Sequence, residues 1–190
     1  MSGSIELVLL KCPQCSTPVP AEEDEVAWVC ATCGLGLQLT ETGLAPVPVH
    51  WAAPGAGALA ARVERWQPFW VFNGTVAFHQ RLNYGGNAAP DDLWLAPRRL
   101  FVPAYACPLA QLQALGADLT RRQPALQPAP AAGPLQGCTF MPDDAQRAAE
   151  FVVVSIEAAR KDKLRSLQFT LNLAPPELWL LPFSGERVLL

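Results

Sequence analysis

Cys12-Pro13-Gln14-Cys15 and, after fourteen intervening residues, Cys30-Ala31-Thr32-Cys33 are the stretches whose reading decides the fold of this 190-residue chain. A two-residue interval lets a tight turn aim both sulfurs of a pair at one ion, and the residues between the pairs suffice for a strand out and a strand back. Four thiolates at this spacing favour zinc or iron over harder metals. Cys12, Cys15, Cys30 and Cys33 are therefore the expected ligands of one zinc ion. With four protein ligands no position is left for water, so a structural zinc is expected rather than a catalytic one.

Around the pairs the chain supplies what such a site needs. Ile5 to Leu10 can form a leading strand, Val26 to Val29 a second one into Cys30, and Leu35, Leu37 and Leu39 alternate with Gly36, Gln38 and Thr40 as a third. Gly34 follows the second pair, where a turn of this kind often needs permissive backbone. The pattern resembles the four-cysteine zinc ribbon and its relative rubredoxin, whose four cysteines hold one iron. The resemblance covers Cys12, Cys15, Cys30 and Cys33 with Gly34 and no other part of the chain. Ser16 stands where rubredoxins usually have glycine, and the second pair lacks their proline.

Hydrophobic residues make up 51% of the chain and charged residues 16%, more apolar than an ordinary soluble domain, so part of the surplus is expected at an interface. Nineteen prolines and thirteen glycines favour short strands and turns over long helices. No run of about 18 apolar residues is free of charge or proline, and the N-terminal apolar run is short and lacks a cleavage site, so no membrane span is expected. Unoxidised thiols point to a reducing compartment, the cytoplasm.

The net charge of −3 is uneven. Up to residue 61 one base, Lys11, stands against six acids, a net of −5; the remainder carries +2. Neither part has the basic stripe that phosphate binding requires. The acidic run Glu22-Glu23-Asp24-Glu25 reads as a solvated loop.

The expected architecture is α+β: a zinc ribbon over 1–44, a Pro/Gly/Ala-rich linker over 45–65, and a mainly antiparallel β body with two short helices over 66–190. Trp66 to Phe78 reads as sheet with a turn or bulge at Asn73-Gly74, and Leu93 to Tyr105 as strand. Pro108 to Leu119 reads as the first helix, Arg121 to Pro134 as a surface loop, and Asp143 to about Glu150 as the second helix. From Phe151 the alternation of Val152, Val154 and Ile156 predicts a strand opening a C-terminal β-meander, with a helix continuing to Lys163 as the competing reading. Asp92-Leu93-Trp94-Leu95-Ala96-Pro97 echoes Glu177-Leu178-Trp179-Leu180-Leu181-Pro182, as related halves or by chance.

No catalytic signature emerges. His50 and His79 belong to no recognisable triad, Cys107 and Cys138 are expected as buried apolar thiols, and Asn83-Tyr84-Gly85-Gly86-Asn87 lacks the lysine of a phosphate loop. The cluster Arg160-Lys161-Asp162-Lys163-Leu164-Arg165 reads as a solvated turn that Arg98-Arg99 and Arg121-Arg122 could join on one face. The functional expectation is a non-enzymatic cytoplasmic adaptor or assembly subunit that docks to protein partners. Alternatives are a nucleic-acid-associated or transcription-related zinc-ribbon protein with tryptophans stacking on bases, an enzyme around His79 and Arg98-Arg99, and a rubredoxin-like electron carrier.

Overall fold

The computed structural model describes residues 10–20, 22, 24–55, 62–132, 135 and 137–190. The leading strand expected at Ile5 to Leu10 lies, apart from its last residue, outside the described residues. Among the described residues the chain is mixed α+β, with mostly antiparallel strands and two α-helices, as expected. Three strands, β1 (Ala27–Val29), β2 (Gly36–Thr40) and β3 (Gly43–Pro46), form a small antiparallel sheet beside the cysteine pairs. The larger sheet is built on one strand of 19 residues, β5 (Arg65–Asn83).

One edge of β5 is shared by two partners in succession. β9 (Leu164–Leu173) pairs with its second half and β10 (Glu177–Ser184) with its first, Leu173 lying opposite Gly74 and Glu177 opposite Val71. On the other edge β7 (Arg98–Pro103) pairs from Phe69 to Gly74, and β6 (Gly86–Asn87) closes a hairpin at Leu82 and Asn83. Asn73-Gly74, expected as a turn or bulge, thus lies inside a continuous strand, at the point where β5 changes partners. Glycine is required there by crowding: a Cβ would lie 2.2 Å from the Asn172 carbonyl oxygen.

Where β7 and β10 flank the first half of β5 the sheet is buried on both faces, which explains its unbroken apolar runs. Trp70 and Phe72 of β5, Leu100 and Val102 of β7, and Leu178 and Leu180 of β10 share one core cluster with α2 (Pro142–Ala158). Phe69, Val71, Phe101, Trp179, Leu181 and Phe183 point to the opposite cluster with Leu119 of α1 (Leu109–Arg122). Much of the apolar surplus is consumed here.

Four local expectations are corrected. The stretch expected as a linker contains β4 (Val49–Ala52), which pairs parallel with β10 on one side and antiparallel with β8 (Pro128–Ala129) on the other. Val49 to Ala52 is free of proline, so its amides can pair on both edges, while Pro48 still accepts a bond from the Leu178 amide. The same pairing places a short strand in the supposed loop after α1. Residues 92–95 are not strand: the Asp91 carboxylate accepts from the Leu93 amide and starts a 3-10 turn over Asp92–Leu95. The echo of this segment in β10 therefore joins two different conformations and marks no duplicated structure.

The fourth correction concerns α2, which runs to Ala158 in place of the expected strand from Phe151. A strand would bury Val152, Val154 and Ile156 together. Instead Ala145, Ala148, Ala149, Val152, Val153 and Ile156 are buried and Val154 is exposed, the signature of a 3.6-residue period. A final strand, β11 (Arg187–Val188), hairpins onto β10.

A buried ionic network fastens α2 to β5. Glu157 and Arg81, both essentially inaccessible, meet with Arg81 Nε 2.6 Å from Glu157 Oε2. Glu157 also accepts from Trp94 Nε1 at 2.8 Å, the Asp91 amide at 2.9 Å and Arg160 at 3.1 Å. Asp162 grips the remaining guanidinium nitrogens of Arg81 in bidentate fashion. The cluster expected as a solvated turn between strands thus joins α2 to β9, and one of its members, Asp162, is an anchor.

Candidate metal centre

The two cysteine turns are built alike. The Cys12 amide donates to the Thr17 carbonyl and the Ser16 amide to that of Cys12; the Cys30 amide donates to Leu35 and the Gly34 amide to Cys30, at 2.8–2.9 Å throughout. Each turn closes with one left-handed residue, Ser16 at φ 59° and Gly34 at φ 73°. Serine pays a steric cost in that region that glycine avoids. Thr17 links the turns, accepting from the Cys15 thiol and donating to the Thr32 hydroxyl at 3.1 Å. Beneath them Val19, Trp28 and Leu37 form a small apolar floor with Cys12 and Cys30.

The four sulfurs converge. Cys12 and Cys33 lie 3.6 Å apart, Cys15 and Cys30 3.5 Å, and all four fall within 4.8 Å of one another. Zn–S bonds of about 2.3 Å put tetrahedral sulfurs about 3.8 Å apart, so the donors already have the size of one coordination shell. They are too far apart for a disulfide, whose S–S bond is about 2.05 Å. Four thiols so placed can bind one metal ion such as zinc. Their protonation is graded: hydrogen bonding with Thr17, through its side chain and its backbone, lowers Cys15 to about 6. A backbone hydrogen bond at Leu35 acts to lower Cys33, but burial and the neighbouring sulfurs outweigh it and raise that thiol to about 12. A cation supplies the charge that lets the last proton leave.

The small sheet is fixed against the body. The Val26 amide donates to the Cys138 carbonyl at 2.7 Å, and Glu25 accepts from the Gly137 amide at 2.8 Å and from Trp28 Nε1 at 3.1 Å. Glu25, read as part of a solvated loop, is therefore a bridging residue. Ala27 packs into the main core cluster.

The other candidates are dispersed. Cys138 is buried and its thiol is pushed up to about 12 by burial, while Cys107 is half-buried and raised for the same reason; neither joins the sulfur cluster. His50 packs on Trp179 with its ring tilted by 34° and the centroids 4.7 Å apart, and His79 meets the Thr170 hydroxyl at 2.7 Å. Arg98 donates to the Leu93 carbonyl and Arg99 to those of Gln123 and Pro124. They sit opposite Gly74 and Asn73, about 17–20 Å along β5 from His79. Five of the six tryptophans are buried, which leaves little tryptophan surface for base stacking.

Arg81 and Glu157 escaped the sequence reading. The signal was a charge inside an apolar strand and another at the end of an apolar run, but nothing local pairs residues 76 positions apart. Among the described residues no helix is long and apolar enough to cross a membrane. No protein-family model, curated protein or solved structure matches the chain.

Proposed function

We propose that residues 1–44 form a zinc ribbon, with Cys12, Cys15, Cys30 and Cys33 holding one structural zinc. The chain acts as a non-enzymatic adaptor or assembly subunit that docks to protein partners in the cytoplasm. The convergence of four sulfurs within 4.8 Å carries this reading. With every ligand position taken by thiolate, the ion organises the fold and is closed to substrate. So short a segment buries too little apolar surface to hold itself together, which gives the metal its task.

The surroundings agree with docking rather than turnover. Both histidines are engaged by neighbouring side chains, and the strongly shifted carboxylate, Asp162, serves the arginine that anchors α2. The ribbon is acidic, and zinc with four thiolates adds a further net −2, unsuited to phosphate backbones.

The test is to recover the tagged full-length chain from cells in mild buffer and compare it with Cys30→Ser. A stoichiometric protein partner held by the parent chain and lost with the variant is the expected result. Nuclease-sensitive nucleic acid in its place would replace the adaptor reading with a nucleic-acid-associated one.

A further inference from the structure

We infer that the chain forms a two-fold dimer by antiparallel pairing of β9 with β9 of a second copy. Among the described residues β9 pairs with β5 alone, so one edge of a ten-residue strand is open. Open edges are normally guarded by charge, proline or a bulge. From Ser166 to Leu173 there is neither a charge nor a proline, and the residues alternate between half-buried Leu167, Phe169, Leu171 and Leu173 and exposed Gln168, Thr170 and Asn172. Of the two bulges in the β5–β9 pairing, one lies on β5 at His79 and the other on β9 at Arg165, just before this uncharged stretch.

Charge selects the occupant. The start of β9 is basic, with Lys161, Lys163 and Arg165 exposed and free of ion pairs among the described residues. α2 runs back alongside the strand, so its first half lies beside the far end of β9. There Asp143, Gln146, Arg147 and Glu150 line a groove of about 420 Å³ against Phe169, Thr170 and Leu171. Asp143 and Glu150 are likewise unpaired among the described residues. Antiparallel self-pairing sets the basic end of each strand against the acidic end of the other, twice over, which is the self-complementarity that a two-fold interface needs.

With the axis at Phe169, Leu167 faces Leu171 of the second copy and Gln168 faces Thr170, each pair on one side of the sheet. Phe151 and Val154, two of the large apolar side chains exposed in the described residues, follow Arg147 of that groove at helical spacing on α2. A second copy would cover them. This interface is remote in sequence from the cysteine turns and does not depend on the reading of zinc.

The experiment is sedimentation velocity and light scattering of the full chain from about 1 µM to about 1 mM. The expected mass in the upper range is twice the 20.5 kDa of the chain. Gln168→Lys with Thr170→Lys places like charges directly opposite across the pairing while leaving exposed positions exposed in each monomer. It should move the dimerisation midpoint at least tenfold towards monomer with an unchanged far-UV circular dichroism spectrum. Lys163→Glu with Arg165→Glu should weaken the dimer, and adding Asp143→Lys with Glu150→Lys should restore it. A monomer at every concentration would overturn the inference, as would a dimer whose midpoint ignores the strand variant.

Discussion

Replacing Glu157 with Gln tests the buried network that joins α2 to the central strand. One Glu157 oxygen accepts from Trp94 Nε1 and the Asp91 amide, the other from Arg81 Nε and Arg160. A glutamine keeps one acceptor and turns the other end into a donor, so whichever way it faces, two donors lose their partner. Bonds to a charged group contribute roughly 1.5–3 kcal/mol each, which gives about 3–6 kcal/mol for the two. Breaking a buried pair from one side costs about 3–5 kcal/mol. Asp162 still neutralises Arg81, which places the expected loss at the low end, about 3 kcal/mol. With a urea slope of about 2–3 kcal/mol/M, the unfolding midpoint should fall by roughly 1–1.5 M. The assay is urea unfolding followed by tryptophan fluorescence, with zinc saturating in both proteins. Glu186→Gln, an exposed carboxylate, is the control and should stay within about 0.5 kcal/mol of the parent. A Glu157→Gln midpoint no lower than that of the control would refute the reasoning.

Three further outcomes are expected. Ser16→Gly removes a side chain from left-handed backbone at φ 59° and should tighten zinc by about fivefold in a chelator competition, the equivalent of about 1 kcal/mol; unchanged affinity would show that the turn carries no strain. Its hydrogen bonds with Arg81 hold the Asp162 carboxyl at about 2, below its ordinary 3.8, so its contribution is full above the unfolded value and is lost as pH falls through 2. Asp162→Asn should flatten that acid limb of the stability profile, and an unaltered limb would assign it to other groups. In the zinc-loaded chain at about pH 8, a disulfide reagent should label Cys107 in the native state and Cys138 only after unfolding. Cys107→Ala should remove the first reaction without changing zinc content, and loss of zinc in that variant would mean that the ligand set is wrong.

The cysteine turns were legible because their chemistry is local: the spacing of Cys12, Cys15, Cys30 and Cys33 brings sulfurs together through turns closed within five residues. The α+β class and α1 were legible for the same reason. α2 was half legible. Its acidic start at Asp143 and Asp144 was plain, but Val152, Val154 and Ile156 satisfy both a two-residue and a helical period, and only packing of Val153 against the core decides between them. β4 was hidden because a strand of four residues between prolines looks like a linker until β10 and β8 take its two edges. The Arg81–Glu157 pair was hidden because charge pairing across the fold leaves no periodic trace. The two-sided burial of the first half of β5 was likewise visible only as an apolar excess, which composition alone could not apportion between core and interface.

The most direct measurement of the central claim is elemental analysis of the purified full-length chain beside Cys30→Ser, with folding of each followed by circular dichroism. One zinc per parent chain is expected, with zinc lost from the variant while the body keeps its helices and long strands. No metal, or iron in place of zinc, in the parent chain would contradict the account, and so would a variant that still holds one full equivalent of zinc.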